Sequence, residues 1–270
     1  MGVSNNRFLD ACYGRNNGSI PIWVMRQAGR YLPEYREVRA KISFEELCQS
    51  PDIIAEVVKQ PIDRFGMDAV ILFSDIMTML TPMGVRVTFP DGGPKIDKPL
   101  QSLDDVKRLT DFDIEAGLGF VLRGIRNIKK ILPDTPLIGF IGSQFTLSCY
   151  LTRPEGTKNF DHAKMFLHNQ PKAAEEMFER LIVVMTRYLQ AQIDAGAEVV
   201  QMFCSWDGIL SYDDFRRWTV EPARRIFNGL KENNVPRILF INNYVTGNAY
   251  YGIGLNDCVV QSKKVVEQIF

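Results

Sequence analysis

Histidine is scarce in this 270-residue chain, which contains only His162 and His168. Cysteine occurs five times, an odd number, and no two cysteines form a Cys-x-x-Cys pair. This pattern disfavours a disulfide framework and a cysteine-rich zinc site, and it is typical of reduced thiols in the cytosol. We therefore expect a cytoplasmic protein.

Net charge and long apolar runs are absent as well. Lysine plus arginine equals aspartate plus glutamate at 32 each, so overall charge gives no argument for a nucleic acid partner. No apolar run approaches the length that spans a bilayer. The first residues, MGVSNNRF, lack the basic and apolar regions of a signal peptide. We expect neither nucleic acid binding nor membrane association.

Short apolar runs alternate with helical patterns along the chain. Five runs predict strands, at 22–25, 68–75, 136–142, 198–203 and 236–241, and we expect the first three to be buried. Most of the segments between them have helical periodicity, whereas 85–99 is rich in glycine, proline and β-branched residues and predicts a loop or hairpin. This alternation is typical of βαβ units in a parallel sheet, most simply a (β/α) barrel. The length also allows two smaller domains.

Basic residues follow the first predicted strand. The stretch 21–39 has the sequence PIWVMRQAGRYLPEYREVR, in which Arg26, Gln27, Ala28, Gly29 and Arg30 come directly after the apolar run. Guanidinium forks and free backbone N–H groups at the end of a strand suit carboxylates or phosphates. A strand followed by a solvated charged loop is the structural alternative.

The ends of the later strands carry further polar groups. In barrels of parallel strands, the active site lies at the C-terminal strand ends and in the loops that follow. Those ends carry Ser74-Asp75, Ser143 with Tyr150 one helix later, and Ser205-Trp206. Arginines, one carboxylate, a phenol and hydroxyls predict a site for a polyanionic substrate, without metal or nucleotide. Structural alternatives remain, because Asp75 can cap a helix, Tyr150 can be a core aromatic and Ser205 a turn residue.

Four blocks in order, PIWVMRQAGRYLPEYR, GMDAVILFSDI, PLIGFIGSQFTL and AEVVQMFCSWDGIL, resemble the uroporphyrinogen decarboxylase family. The resemblance runs from about Arg7 to Ile241. It implies a TIM-barrel-like (β/α)8 fold that binds a cyclic tetrapyrrole and removes the four acetate carboxyls of uroporphyrinogen as CO2, giving coproporphyrinogen. It implies no cofactor and no metal, and it suggests a homodimer.

The resemblance also implies roles for individual residues. Carried over by motif, the substrate-binding residues would be Arg26, Gln27, Ala28, Arg30, Arg39, Asp75, Tyr150 and Ser205. Asp75 and Arg26 would be catalytic. The arginines would hold substrate carboxylates, Ala28 would contribute backbone, and Asp75 would accept hydrogen bonds from pyrrole N–H groups. A carboxylate placed there stabilises the positive charge that develops when a ring carbon is protonated before CO2 leaves.

The chain departs from the family pattern after Ile241. Five strands are predicted where a closed barrel has eight, so we expect one domain over 1–270 that is incomplete at its C-terminal end, truncated or internally deleted after about residue 241. Two functional alternatives follow. One is a catalytically impaired tetrapyrrole-binding fragment or paralogue. The other is a corrinoid or thiol methyltransferase of the same fold, which needs zinc ligands near a fifth strand that here has the sequence RILFINN.

Overall fold

The structure is a computed structural model that describes residues 7–15, 20–90, 93–154, 160–231 and 234–242. In this part of the chain the helices are α1 (Arg7–Cys12), α2 (Pro33–Arg39), α3 (Phe44–Gln49), α4 (Pro51–Phe65), α5 (Leu103–Val106), α6 (Ile114–Ile131), α7 (Gln144–Leu151), α8 (Asp161–Asn169), α9 (Pro171–Ala195), α10 (Tyr212–Phe215) and α11 (Glu221–Asn228). Single 3₁₀ turns occupy Thr78–Leu80 and Asp207–Ile209. A π-helical turn, Arg216–Val220, joins α10 to α11.

The strands form two sheets. They are β1 (Val70–Ile71), β2 (Val87–Thr88), β3 (Lys95–Ile96), β4 (Leu137–Gly142), β5 (Val199–Cys204) and β6 (Arg237–Ile241). The main sheet is parallel with the order β1-β4-β5-β6, and β2 and β3 form a separate antiparallel hairpin. The strands of the main sheet are in sequence order and helices connect them, which is the arrangement of consecutive βαβ units.

The centre of the sheet is β4 and β5, in which every residue is buried. A strand covered on both faces must be apolar throughout, as these two strands nearly are. Gly139 allows α9 to approach β4 closely, because a Cβ there would lie 2.6 Å from Oε1 of Gln192. The Gln192 amide accepts from the Phe140 N–H at 2.8 Å and donates to the Phe140 carbonyl at 3.0 Å. Two hydrogen bonds therefore fix α9 to the sheet.

The prediction of a buried strand at 22–25 is wrong. This segment has no assigned strand, and Ile22 and Val24 are 61% and 48% exposed. Trp23 and Met25 alternate with them and pack against the core. Because all four residues are apolar, the sequence pattern does not reveal that only alternate side chains are covered. The segment lies beside the start of β1 through the Asp68 N–H, which donates to the Ile22 carbonyl at 2.9 Å.

Other predictions have mixed outcomes. The run 68–75 contains a strand of only two residues, β1, because the chain turns at Asp75. The strands in 136–142, 198–203 and 236–241 and the hairpin in 85–99 are confirmed. The departure from the family pattern, expected after about residue 241, lies outside the described residues. None of the helices in the described ranges is long and apolar enough to cross a bilayer.

Candidate active site

Asp75 lies in the turn that follows β1. Its carboxylate accepts the Met77 N–H at 2.8 Å, and the Thr78 hydroxyl donates to the Asp75 carbonyl at 2.7 Å. These bonds form a side-chain turn that leads into Thr78–Leu80, so the helix-capping alternative for Asp75 is partly realised. Among the described residues no lysine or arginine forms an ion pair with Asp75. The turn holds the carboxylate in place and leaves its charge uncompensated.

Burial raises the pKa of Asp75 to about 6, and the hydrogen bond from the Met77 backbone opposes that rise. The protonation of this carboxyl therefore changes near neutral pH, which is a common property of groups that act in catalysis. An unpaired, partly desolvated carboxylate favours a ligand that brings N–H donors or positive charge.

Cys48, on α3, and Tyr150, on α7, lie within the electrostatic reach of Asp75. Burial chiefly raises the pKa of Cys48 to about 12, and the Asp75 charge adds to the rise while Arg39 opposes it. The pKa of Tyr150 is raised mainly by burial, and again the Asp75 charge contributes. The charge of Asp75 thus acts on Tyr150, another of the predicted site residues, and on Cys48, which Arg39 also affects. Cys48 was not predicted as part of the site.

Tyr150 belongs to an aromatic wall made with Phe160 and Trp206. The indole Nε1–H of Trp206 donates to the Tyr150 hydroxyl at 3.0 Å. The ring centroids of Phe160 and Trp206 are 4.4 Å apart, and those of Phe160 and Tyr150 are 5.8 Å apart. The Arg153 guanidinium lies 5.8 Å from the Phe160 centroid. The wall therefore combines three aromatic rings, the Tyr150 hydroxyl and a guanidinium over the Phe160 ring.

Gln27 fixes the arginine segment to the sheet. Its side chain is 1% exposed, its Nε2 donates to the Ala69 carbonyl at 3.1 Å, and its Oε1 accepts the Val24 N–H at 3.2 Å. Close by, the buried Asp68 accepts the Ile22 N–H at 2.8 Å and pairs with Arg7. The Gln27 amide is therefore engaged within the protein, and so is its backbone, whose N–H donates to the Val24 carbonyl at 2.9 Å and whose carbonyl accepts from the Tyr31 hydroxyl at 2.5 Å.

The guanidinium groups of Arg26 and Arg30 differ from the Gln27 amide, which is buried and hydrogen-bonded. Both residues are exposed, and in the described part of the chain neither guanidinium donates a hydrogen bond or joins an ion pair. Arg39 is half-buried and donates to the Ile42 carbonyl. Two cationic groups are thus available to an anion, and a third is held by the backbone.

Ala28 and Ser205 are half-buried. Within the described ranges no hydrogen bond or ion pair links Arg26 or Ser205 to Asp75. The convergence of the arginines on Asp75 therefore stays a prediction.

A second carboxylate, Asp207, lies in the 3₁₀ turn after β5 and is completely buried. It accepts hydrogen bonds from the hydroxyls of Ser143, Thr146 and Thr219. Burial raises the pKa of Asp207, and these three hydroxyls oppose the rise. An acidic residue three positions after an apolar strand could have been identified from the sequence, because strand ends carry the site in this architecture.

The chain matches one protein family over most of its length. The family model described as Uroporphyrinogen decarboxylase (URO-D) matches residues 3–252. The chain belongs to the uroporphyrinogen decarboxylase family. A uroporphyrinogen decarboxylase of Geobacter sp. (strain M21) is 42% identical over 238 residues, which cover 88% of this chain and 70% of that protein. One from Pelobacter propionicus is 44% identical with the same coverage.

Membership of this family confirms the resemblance drawn from the four sequence blocks. Among solved structures, a methyltransferase from Methanosarcina mazei aligns with a TM-score of 0.71 at 17% identity, covering 97% of this chain and 73% of its own. This likeness shows the fold alone, and it confirms the α/β, TIM-barrel-like class. Within the described ranges no three His, Cys, Asp or Glu side chains are grouped closely enough to hold a metal ion.

Proposed function

We propose that this protein is a uroporphyrinogen decarboxylase, which removes the four acetate carboxyls of uroporphyrinogen as CO2 and yields coproporphyrinogen. The observation that carries the proposal is Asp75, an unpaired carboxylate at a strand end with a pKa raised to about 6. The family membership of the chain supplies the substrate class.

The proposed chemistry begins with protonation of the ring carbon next to the one that bears the acetate group, so that the acetate methylene stays conjugated with the cationic pyrrole. The ring then carries positive charge, which the Asp75 carboxylate stabilises while it accepts hydrogen bonds from the pyrrole N–H groups. The bond between the acetate methylene and its carboxyl carbon breaks, its electrons neutralise the ring, and CO2 leaves. Protonation of the exocyclic methylene gives the methyl group, and loss of the proton first added to the ring carbon restores the pyrrole.

The arginines are proposed to bind and position the substrate carboxylates. Arg26 and Arg30 are exposed and without an internal partner among the described residues, which is what a site for an external anion requires. Arg26 is proposed to hold the departing carboxylate, and Arg39 to add positive potential deeper in the site. Ala28 is proposed to contribute backbone groups, and Gln27 to hold this segment in place through its buried side chain.

The remaining predicted residues are proposed to line the cleft. Tyr150 presents a hydroxyl that Trp206 already orients, and the Phe160 and Trp206 rings offer faces to the flat pyrrole units. Ser205 precedes Trp206 in the same loop and is half-buried. These roles follow from position after β5 and from the aromatic contacts.

The direct test is anaerobic incubation of the protein with uroporphyrinogen, followed by quantification of products with fewer carboxyl groups. We expect stepwise loss of four carboxyls by the unaltered protein and its loss in Asp75→Asn. Asp104→Asn is a matched control, since Asp104 is an exposed acid paired with Lys107 on the surface. Porphyrin binding without any loss of carboxyls would contradict the proposal and favour the catalytically impaired alternative.

Salt dependence tests the binding role of the arginines separately. Contacts between exposed charges are screened over about 8 Å at physiological ionic strength. We therefore expect the affinity for a polycarboxylated porphyrin to fall as salt rises, with a shallower dependence in Arg30→Ala. Affinity that is unchanged by both salt and the substitution would count against the arginines as the carboxylate-binding groups.

Self-association to a homodimer and a cytoplasmic location stay predictions. Sedimentation of the purified protein over a range of concentrations tests the first.

A further inference from the structure

Asp207 is the centre of a buried hydroxyl cluster that the proposed chemistry does not use. Its Oδ1 lies 2.6 Å from the Thr219 hydroxyl and 2.9 Å from the Ser143 hydroxyl. Its Oδ2 lies 2.7 Å from both the Ser143 and the Thr146 hydroxyls. The carboxylate is completely buried and has no salt bridge in the described part of the chain. Burying an ionised carboxylate costs free energy unless hydrogen bonds compensate for the lost water, and here three hydroxyls supply them.

The three hydroxyls belong to different elements. Ser143 is the N-cap of α7, where its oxygen accepts the Thr146 N–H at 3.0 Å. Thr146 lies one turn before Tyr150 on the same helix. Thr219 lies in the π-helical turn between α10 and α11, where Pro222 cannot donate the N–H that an α-helix would direct at residue 218. Asp207 therefore ties the loop after β5 to α7 and to this turn.

The cluster continues to the aromatic wall. The Thr146 oxygen accepts the backbone N–H of Trp206 at 3.2 Å while its proton faces Asp207. The Trp206 indole then donates to the Tyr150 hydroxyl. Backbone N–H groups can only donate, so the hydroxyl protons of Ser143 and Thr146 are directed to the carboxylate. Trp206 is thus connected to Asp207 through the Thr146 hydroxyl, and Tyr150 lies on the helix that Ser143 and Thr146 hold to Asp207.

We propose that Asp207 is a positioning residue, which holds the Tyr150–Trp206 pair in the orientation that the substrate meets. Its importance for turnover rests on the proposed function, whereas its effect on the Tyr150–Trp206 contact does not. A carboxylate suits this task because it accepts from three hydroxyls at once. Asparagine retains one acceptor oxygen and adds donors, and alanine leaves the hydroxyls without a partner.

The Tyr150–Trp206 contact can be followed by NMR in the whole chain. The probes are the indole N–H resonances of Trp23, Trp206 and Trp218, which single Trp→Phe variants assign. Tyr150→Phe gives the Trp206 resonance for the broken contact. In Asp207→Ala we expect the Trp206 resonance to move towards that position and its hydrogen exchange to quicken, with Trp23 unchanged. Asp207→Asn should give a smaller shift. An unchanged Trp206 resonance in Asp207→Ala would overturn the proposal.

Two further variants keep the test decisive. If Asp207→Ala does not fold, Thr146→Val, which removes the link between Trp206 and Asp207, must shift the Trp206 resonance, and failure to do so overturns the proposal. Gln192→Leu removes another buried pair of hydrogen bonds, those to Phe140, and controls for general loss of stability. It should leave the Trp206 resonance in place.

Turnover gives the second readout. We expect kcat/KM to fall about 10- to 100-fold in Asp207→Ala, mostly through kcat, because small displacements of a site residue have effects of that size. Adding Asp207→Ala to Tyr150→Phe should lower turnover little further, since both act on one contact. Fully multiplicative effects would overturn the proposal. If the resonances shift as expected but turnover is unchanged in Tyr150→Phe, the positioning role of Asp207 is supported. The role of Tyr150 in the proposed function is then contradicted.

Discussion

The centre of the sheet and the arginine segment differ in how they are held. Every residue of β4 and β5 is buried, and the strands form a continuous parallel ladder from Ile138–Val199 to Gly142–Phe203. The segment before Arg26 has alternate exposed residues and is fixed mainly by the side chains of Gln27 and Asp68. The first region is held by packing and the second by a few hydrogen bonds.

This difference parallels the proposed division of work. Tyr150 and Trp206 follow the buried strands β4 and β5, and Asp75 follows β1, which pairs with β4. Arg26 and Arg30 lie on the less covered segment. On the proposed assignment, the groups that act in the chemistry are attached to the packed centre, whereas the groups that bind carboxylates are attached to its edge.

The largest expected effect comes from an Ile→Ala substitution, made once in the centre of the sheet and once in the arginine segment. Ile138→Ala in β4 removes a fully buried side chain, and we expect it to lower the free energy of unfolding by about 2 to 5 kcal/mol. Ile22→Ala removes a side chain that is 61% exposed, and we expect a change within about 0.5 kcal/mol. Urea denaturation measures both. Similar losses at the two positions would break the comparison.

The second effect concerns Asp75 and pH. The pKa of Asp75 is raised from 3.8 to about 6 in the folded protein, so the folded state favours the protonated carboxyl. Its contribution to the free energy of unfolding is fully present below pH 3.8 and is lost as the pH rises through about 6. Relative to Asp75→Asn, we expect the protein to lose about 2 to 3 kcal/mol of unfolding free energy between pH 4 and pH 7. Denaturation of both proteins at several pH values checks this. A difference that does not vary with pH would show that the carboxyl is not desolvated.

The smallest expected effect comes from Gln27, which fixes the arginine segment. Gln27→Ala leaves the Ala69 carbonyl and the Val24 N–H without their partner, at a cost of about 1 to 2 kcal/mol. Because the arginine segment then loses a restraint, we expect porphyrin binding to weaken about 3- to 10-fold, with turnover at saturation unchanged. The exposed Gln101→Ala is the control. Equal binding by both variants would remove Gln27 from the account.

The sequence predicts the centre of this molecule better than its edge. The runs 136–142 and 198–203 are buried strands because both faces are covered, and continuous apolar runs indicate that directly. The run 22–25 has the same composition, yet its exposure depends on what lies beside it, which local pattern does not encode. Tyr150 and Asp75 could be proposed from motif and strand ends, and the structure brings them within electrostatic reach of each other. Asp207 itself follows a strand end, but its partners Thr219, Thr146 and Ser143 are 12, 61 and 64 positions away, so local spacing does not predict the cluster.

The division between chemistry and binding is tested most directly by single-turnover decarboxylation of uroporphyrinogen at saturating concentration, for the unaltered protein, Asp75→Asn and Arg30→Ala. We predict that Asp75→Asn loses saturated turnover by at least about 100-fold, since a preorganised charge is worth that much, while its binding weakens far less because the amide oxygen still accepts from the pyrrole N–H groups. Arg30→Ala should bind more weakly and turn over normally once saturated. Saturated turnover that survives in Asp75→Asn, or that is lost equally in Arg30→Ala, would contradict the account.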